Sequence, residues 1–192
     1  MNLPKTNYHL LDDNPIKNRL IGRLPVKYVW AFLKFRKSGI VQHLLHQLKY
    51  NNQPDVGVKL GKSYGYELIT AGFAKQFDLI IPVPLHPARK LKRGYNQSAK
   101  FAQGLSEVFQ IPFDDSISVR KIATTTQTKK SKLQRWENVE HVFDLEDNSK
   151  IIGKRILLVD DVITTGATIE ACGKHLVSKG CSELSIACLA EA

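Results

Sequence analysis

Apolar positions along the 192 residues fall into two kinds of run. The first kind is continuous. Ile156, Leu157, Leu158 and Val159 stand together, and residues 78–84 (DLIIPVP) and 183–189 (ELSIACL) are built alike. A short unbroken apolar run predicts a strand buried on both faces, as in a parallel sheet. The second kind recurs at helical spacing. Ile40, Val41, Leu44, Leu45 and Leu48 line one side of residues 40–50. Ile169, Cys172, Leu176 and Val177 do the same further on, with Gly180 as a stop. A helix is also predicted from about residue 96 to about residue 109. Residues 56–77 read as mostly helical, although glycines at 57, 61, 65 and 72 weaken the pattern.

Two stretches resist a single reading. In residues 24–37, Val26, Val29, Trp30 and Leu33 share a helical face, but Tyr28, Trp30 and Phe32 alternate as in a strand. Residues 1–23 carry no period and read as an irregular leader. The alternation of strands and helices elsewhere predicts an α/β fold with a mainly parallel central sheet flanked by helices. Residues 1–75 form an N-terminal leader and hood in this reading, and residues 76–192 form the core, the two packing as one compact unit.

Composition changes the picture in one respect. The formal net charge is +10, which suits an anionic ligand, either a phosphorylated metabolite or nucleic acid. The three cysteines, Cys172, Cys181 and Cys188, have no CxxC spacing and read as small buried hydrophobes. His43 and His46 are three apart, but no cysteine or acid accompanies them, so they read as surface histidines and not metal ligands. No apolar run reaches the roughly 20 residues that span a bilayer. The start has no signal-peptide core. A cytoplasmic protein without membrane insertion is expected.

The candidate chemistry centres on residues 155–168 (RILLVDDVITTGAT). A buried strand leads to Asp160 and Asp161, then to Thr164, Thr165, Gly166, Ala167 and Thr168, then to a helix start. Free backbone N–H groups and the helix dipole favour an anion there. The hydroxyls add donors, and Gly166 permits close backbone approach. Two adjacent carboxylates suit vicinal ribose hydroxyls or a cation. A ribose 5-phosphate satisfies both halves. After the strand at 78–84, Arg89, Lys90, Lys92 and Arg93 crowd a loop. Loops at the carboxyl ends of parallel strands meet at the ligand crevice, so this one is expected to face residues 160–168. It offers donors for a diphosphate, with Arg93 able to bind bidentately, assisted by Lys90 or Lys92. The aromatic and basic residues of 24–37 either stack on single-stranded nucleic acid or pack on the domain, and packing is the commoner outcome. Residues 124–138 are polar and basic and read as an exposed loop.

Residues 155–168 resemble the phosphoribosyl diphosphate (PRPP) signature of type I phosphoribosyltransferases. The segment PVPLHPARKLKRGYNQ is similar to the ComF branch of that group, as are HQLKYNNQPDVGVKLGK upstream and Gln127, Arg135, Asn138 and Phe143 downstream. The resemblance spans about residues 26 to 190. It implies the Rossmann-like type I fold, PRPP and Mg²⁺ as ligands, and a phosphoribosyl transfer to an acceptor that it does not specify. It implies that Asp160, Asp161 and Arg93 are catalytic, with Asp160 and Asp161 near the metal. Thr164 to Thr168, Lys90, Lys92, Gln127 and Arg135 are then substrate-binding. It implies that residues 124–138 close as a lid that excludes water. The setting implied is DNA uptake and natural competence, and a homodimer is an admissible assembly. A second reading is a non-catalytic accessory or PRPP sensor that meets single-stranded DNA or a competence protein. Two features depart from the family. The branch commonly carries an N-terminal four-cysteine zinc module, and this chain has no cysteine before Cys172. Thr164 stands where purine-salvage relatives carry an aspartate, which weakens a purine-salvage role.

Overall fold

The computed structural model describes residues 3–120, 143–145 and 148–192. Its centre is a four-stranded sheet in the order β1-β6-β5-β2, with every neighbouring pair parallel. These strands are β1 (Val29–Lys34), β2 (Leu79–Pro82), β5 (Arg155–Ile163) and β6 (Glu183–Glu191). A separate antiparallel pair is formed by β3 (Ser118–Arg120) and β4 (Phe143–Leu145). The helices are α1 (Pro15–Leu20), α2 (Ile40–Tyr50), α3 (Pro54–Thr70), α4 (Pro87–Arg93), α5 (Gln97–Phe109) and α6 (Ala167–Ser178). The continuous apolar runs are thus parallel strands, as their composition demands. Ile156 to Val159 are buried throughout.

The ambiguous stretch 24–37 resolves as a strand. β1 pairs with β6 from Val29 opposite Ile186 to Lys34 opposite Glu191. Its aromatics pack inward. Tyr28 stacks on Trp30 at 4.9 Å, Trp30 meets Phe73 edge-on at 4.4 Å, and Phe32 stacks on Tyr64 at 4.7 Å. β1 therefore belongs to the same sheet as strands from beyond residue 75. The leader is not irregular throughout. Asn14 caps α1 by accepting from the Lys17 amide, and Pro15 holds the first helical position. Ile16 and Leu20 are fully buried. A six-residue helix is too short to establish a period, which is why the pattern hid it.

The glycines of residues 56–77 have a packing reason. They do not break α3. A Cβ on Gly61 would press on Phe101 and lie 3.0 Å from Gly104 Cα. α3 and α5 approach so closely because both present glycine at the crossing. α3 ends at Thr70, short of the expected 77, where Gly72 turns the chain with φ 92°. The segment 85–95 is also not a loop throughout. His86 and Pro87 start α4, and Gly94 ends it in the left-handed region. None of the three cysteines, all of them among the described residues, forms a disulfide. Among the described residues no helix is long and apolar enough to cross a membrane.

Tyr64 carries a testable cost. Its ring is fully buried between Phe32 and Phe101, yet its hydroxyl has no partner among the described residues. An unsatisfied buried hydroxyl destabilises by about 1–3 kcal/mol. Tyr64→Phe is expected to raise stability by about 1 kcal/mol, seen as a higher urea midpoint at unchanged slope. A lowered midpoint would count against an unpaired hydroxyl.

Candidate active site

The carboxyl end of β2 lies beside the middle of β5, with Pro82 pairing with Val159 just before the two acids. The chain leaves β2 into α4 and α5, and leaves β5 into α6. A cleft of about 190 Å³ opens between these exits. Asp160, Asp161, Arg93 and Thr168 all line it. Parallel strands produce this convergence because every strand exit is at the same end of the sheet.

The two acids sit inside β5, which continues past them to Ile163. They point into different surroundings. Asp160 is buried, at 9% exposure. Its Oδ1 accepts from Ser98 Oγ at 2.9 Å and from the Asp161 amide at 2.8 Å. Burial, and then the Asp161 carboxylate beside it, push Asp160 up to about 7. The Asp161 amide, Ser98 and Lys49 pull the other way. Asp161 is more open. Its Oδ1 accepts from the Val162 amide at 2.7 Å, and its Oδ2 meets the Lys49 ammonium at 2.8 Å. One carboxyl is held close to neutrality and its neighbour is paired with a cation. The buried carboxyl can hold or release a proton near physiological pH, and both acids can accept hydrogen bonds from hydroxyls.

The segment RGYNQS arranges the opposite wall. Arg93 Nη1 donates to Gln97 Oε1 at 2.8 Å, and its guanidinium lies 5.7 Å from the Tyr50 ring centre. Asn96 caps α5 by accepting from the Ser98 amide and donates to the Val83 carbonyl at 2.9 Å, which ties the helix start to the end of β2. Arg89 also lines the cleft. Arg89 and Arg93 are four apart on α4, so they share a face. Reading the segment as a loop concealed that spacing. Lys90 turns elsewhere. It lines a neighbouring cavity of about 710 Å³ with Leu91 and Asp115. Lys92 lines neither the cleft nor that cavity. Gln127 and Arg135, and the expected lid at 124–138, lie outside the described residues.

The loop from Thr164 to Thr168 is shaped from behind. Gly166 has φ 80° at the N-cap of α6, where a Cβ would also strike Leu20 of α1 at 2.9 Å. Arg19 Nη1 donates to the Thr164 carbonyl at 2.9 Å, and Arg23 Nη1 donates to the Thr165 carbonyl at 3.3 Å. Arg19 also pairs with Glu191 at 2.5 Å, and Arg23 pairs with Glu170. Tyr8 donates to Glu191 at 2.7 Å. Its own burial, together with Glu191, lifts the Tyr8 phenol to about 12. With the carbonyls drawn back towards α1, Thr164, Thr165, Ala167 and Thr168 stand exposed at the start of a twelve-residue helix. Backbone N–H groups at such a helix start are able to receive an anion.

Four contributors escaped the sequence reading as site residues, Lys49, Ser98, Arg19 and Arg23, whereas Arg89 stands within the basic segment without being singled out there. Ser98 follows the RGYNQ segment directly and could have been suspected. Lys49 and the two leader arginines act only through long-range contacts, which leave no local signal.

Comparison with known proteins bears on the family and the fold. Residues 96–192 match the family model described as Phosphoribosyl transferase domain. The chain is 35% identical over 153 residues to Competence protein F of Haemophilus influenzae, covering 78% of this chain and 67% of that protein. It is 32% identical over 149 residues to the DNA utilization protein YhgH of Escherichia coli, covering 76% of this chain. The chain spans 65% of the length of that relative. Among solved structures, the glutamine PRPP amidotransferase of B. subtilis superposes with a TM-score of 0.51 at 21% identity, over 75% of this chain and 30% of that one. That likeness is one of fold. On the match over its second half and on its competence relatives, this chain belongs to the ComF family of phosphoribosyltransferase-like proteins.

Proposed function

We propose that the cleft binds PRPP with Mg²⁺ and that the protein transfers the phosphoribosyl group to an acceptor, in a setting of DNA uptake. The observation that carries this reading is the convergence of Asp160, Asp161, Arg93 and Thr168 on one cleft. The loop at 164–168 takes the 5-phosphate, the two acids take the ribose hydroxyls, and Arg93 takes the diphosphate. In the reaction the bond from ribose C1 to the diphosphate breaks, the diphosphate departs with the bonding pair, and C1 bonds to the acceptor. The acids stabilise the positive charge that develops on the ribose. The donor set fits Mg²⁺, which keeps several waters and uses one or two carboxylates beside the substrate's own oxygens. Asp161, and the second oxygen of Asp160, are the protein groups that would hold it. Bound there, the ion would neutralise the leaving diphosphate. The names of the two relatives, for competence and DNA utilization, support the setting.

Isothermal titration with PRPP and Mg²⁺ tests the first link, with saturable binding expected below about 1 mM. No heat at that concentration sinks the reading. A screen of acceptors for diphosphate release then tests turnover.

The exposed Arg89, Lys90 and Lys92 and the net charge of +10 favour one second reading, a PRPP-responsive accessory that binds single-stranded DNA. Its signature is an oligonucleotide affinity that falls steeply with salt. Failure to bind at about 50 mM salt removes it.

A further inference from the structure

The last turn of α2 is fastened to the candidate site by three consecutive residues. The Leu48 carbonyl accepts from the Tyr95 hydroxyl. Lys49 pairs with Asp161. Tyr50 lies beneath the Arg93 guanidinium. Leu48 itself is fully buried and anchors the turn. Lys49 is thus delivered from the first third of the chain to a strand near its end, and it lines the same cleft as Arg89 and Arg93.

Charge balance in that cleft gives the ammonium a role. Three cations, Lys49, Arg89 and Arg93, face two carboxylates, Asp160 and Asp161. Without Lys49 the lining carries as many potential anions as cations. Its attraction for a highly charged anion such as diphosphate would then be weaker. With it the balance is positive. The free protein also leaves little of Asp161 unengaged, because Lys49 and the Val162 amide hold one oxygen each. A ribose hydroxyl or hydrated cation reaches Asp161 fully only if Lys49 gives up its place. A lysine ammonium on a four-carbon stem can make that exchange without moving the helix, since its donors rotate and its stem is flexible.

We propose that Lys49 is a diphosphate ligand that trades partners: it neutralises Asp161 in the free protein and transfers to the diphosphate of PRPP on binding. The exchange couples the two ends of the ligand. Diphosphate draws the ammonium away, and the freed carboxylate then receives the ribose. The inference rests on the PRPP reading above and adds a residue and an order of events to it.

The test is isothermal titration of the full chain and of Lys49→Met with three probes: PRPP, inorganic diphosphate and ribose 5-phosphate, each with Mg²⁺. Lys49→Gln serves as a second neutral variant should the first not fold, and Lys49→Arg as the charge-retaining one. The neutral variants are expected to bind PRPP and diphosphate roughly 10- to 100-fold more weakly, the loss of one charge-assisted contact. Ribose 5-phosphate is expected to change by less than about 2-fold or to tighten, since its carboxylate is no longer occupied. Lys49→Arg is expected to recover most of the diphosphate affinity. Unchanged PRPP affinity in a folded neutral variant overturns the proposal and reduces the ion pair to a structural contact. Tighter PRPP binding also overturns it and makes Lys49 a competitor. If the unaltered chain binds neither PRPP nor diphosphate, the PRPP reading fails and this one falls with it; if it binds them and the neutral variants match it, only this one fails.

Discussion

Replacing Asp160 by asparagine is expected to raise the melting temperature at pH 8 and, combined with Asp161→Asn, to abolish PRPP binding. The two effects have one cause. Asp160 is buried beside a second carboxylate, and its proton is held up to about 7. A free aspartate releases its proton near 3.9. Between those values the folded state binds more protons than the unfolded state, so stability falls as pH rises through the window. The contribution is fully present below about pH 4 and lost above about pH 7. Asparagine cannot ionise, yet its side-chain oxygen can still accept from Ser98 and from the Asp161 amide. At pH 8 the gain is expected to be about 2 kcal/mol, or roughly 4–8 °C for a chain of this size. It should shrink towards zero at pH 4. Calorimetry across pH reads the first effect and titration with PRPP reads the second. A double variant that binds PRPP as before would refute the ribose assignment. A single variant that melts lower at pH 8 than at pH 5, relative to the unaltered protein, would refute the strained-acid account. A site residue whose loss stabilises the fold is the usual mark of a place where function is favoured over stability.

The second large effect is expected at Gly104. A methyl there would lie 2.8 Å from the Lys62 amide nitrogen, 2.9 Å from Gly61 Cα, and closer still to the Val58 carbonyl oxygen. All three are backbone atoms of α3, so no side chain can turn aside. The helices must separate, and the α3–α5 seam covers Tyr64, Phe101 and Leu105, which are fully buried. Alanine's better helix propensity returns about 1 kcal/mol. Overpacking of this kind costs typically about 1–3 kcal/mol and more where backbone is struck. Gly104→Ala is expected to lose at least 3 kcal/mol net, a fall of about 6–12 °C. Gly65→Ala is the control. Its methyl would meet the Val108 Cβ at 3.0 Å, a side-chain contact that needs a shift of a few tenths of an ångström and strikes no backbone atom among its nearest neighbours. Its cost should stay below about 1 kcal/mol. Equal melting of the two variants would mean that the helices do not cross as tightly as described.

The sequence was most legible where chemistry and secondary structure are written in adjacent residues. The runs of β5, β6 and β2, and the helix α2 with both of its bounds, follow from apolar spacing alone. The acids and the threonine-rich turn stand next to each other in the chain because a strand exit and a helix start must be adjacent. What stayed hidden depends on contacts between distant segments. The glycines of α3 look like helix-weakening residues until α5 is placed against them. Arg19 and Arg23 belong to a leader without a pattern, yet they hold the carbonyls of Thr164 and Thr165. Lys49 is one residue past an apolar stripe and is unremarkable until Asp161 is set opposite. Proline and glycine around residues 84–94 marked a loop, but Pro87 opens a helix as readily as it ends one. That difference decides whether Arg89 or Lys90 accompanies Arg93.

The strand order carries a consequence for how the protein is made. β1 is the first strand of the sheet among the described residues, and the strand it pairs with there is β6, with Val29 beside Ile186, while Lys5 bridges Leu33 on its other edge. Until residues 183–191 have been synthesised, Val29, Trp30 and Leu33 lack their parallel partners and β1 has only the short contact with residues 4–6. β5 can pair with β2 earlier, but its second edge waits for the same segment. Pairings of such long range are slow to form and leave apolar edges exposed meanwhile. The candidate site is therefore completed late in folding, and a nascent chain that has already exposed its acids and threonine-rich turn is still unable to hold them in place.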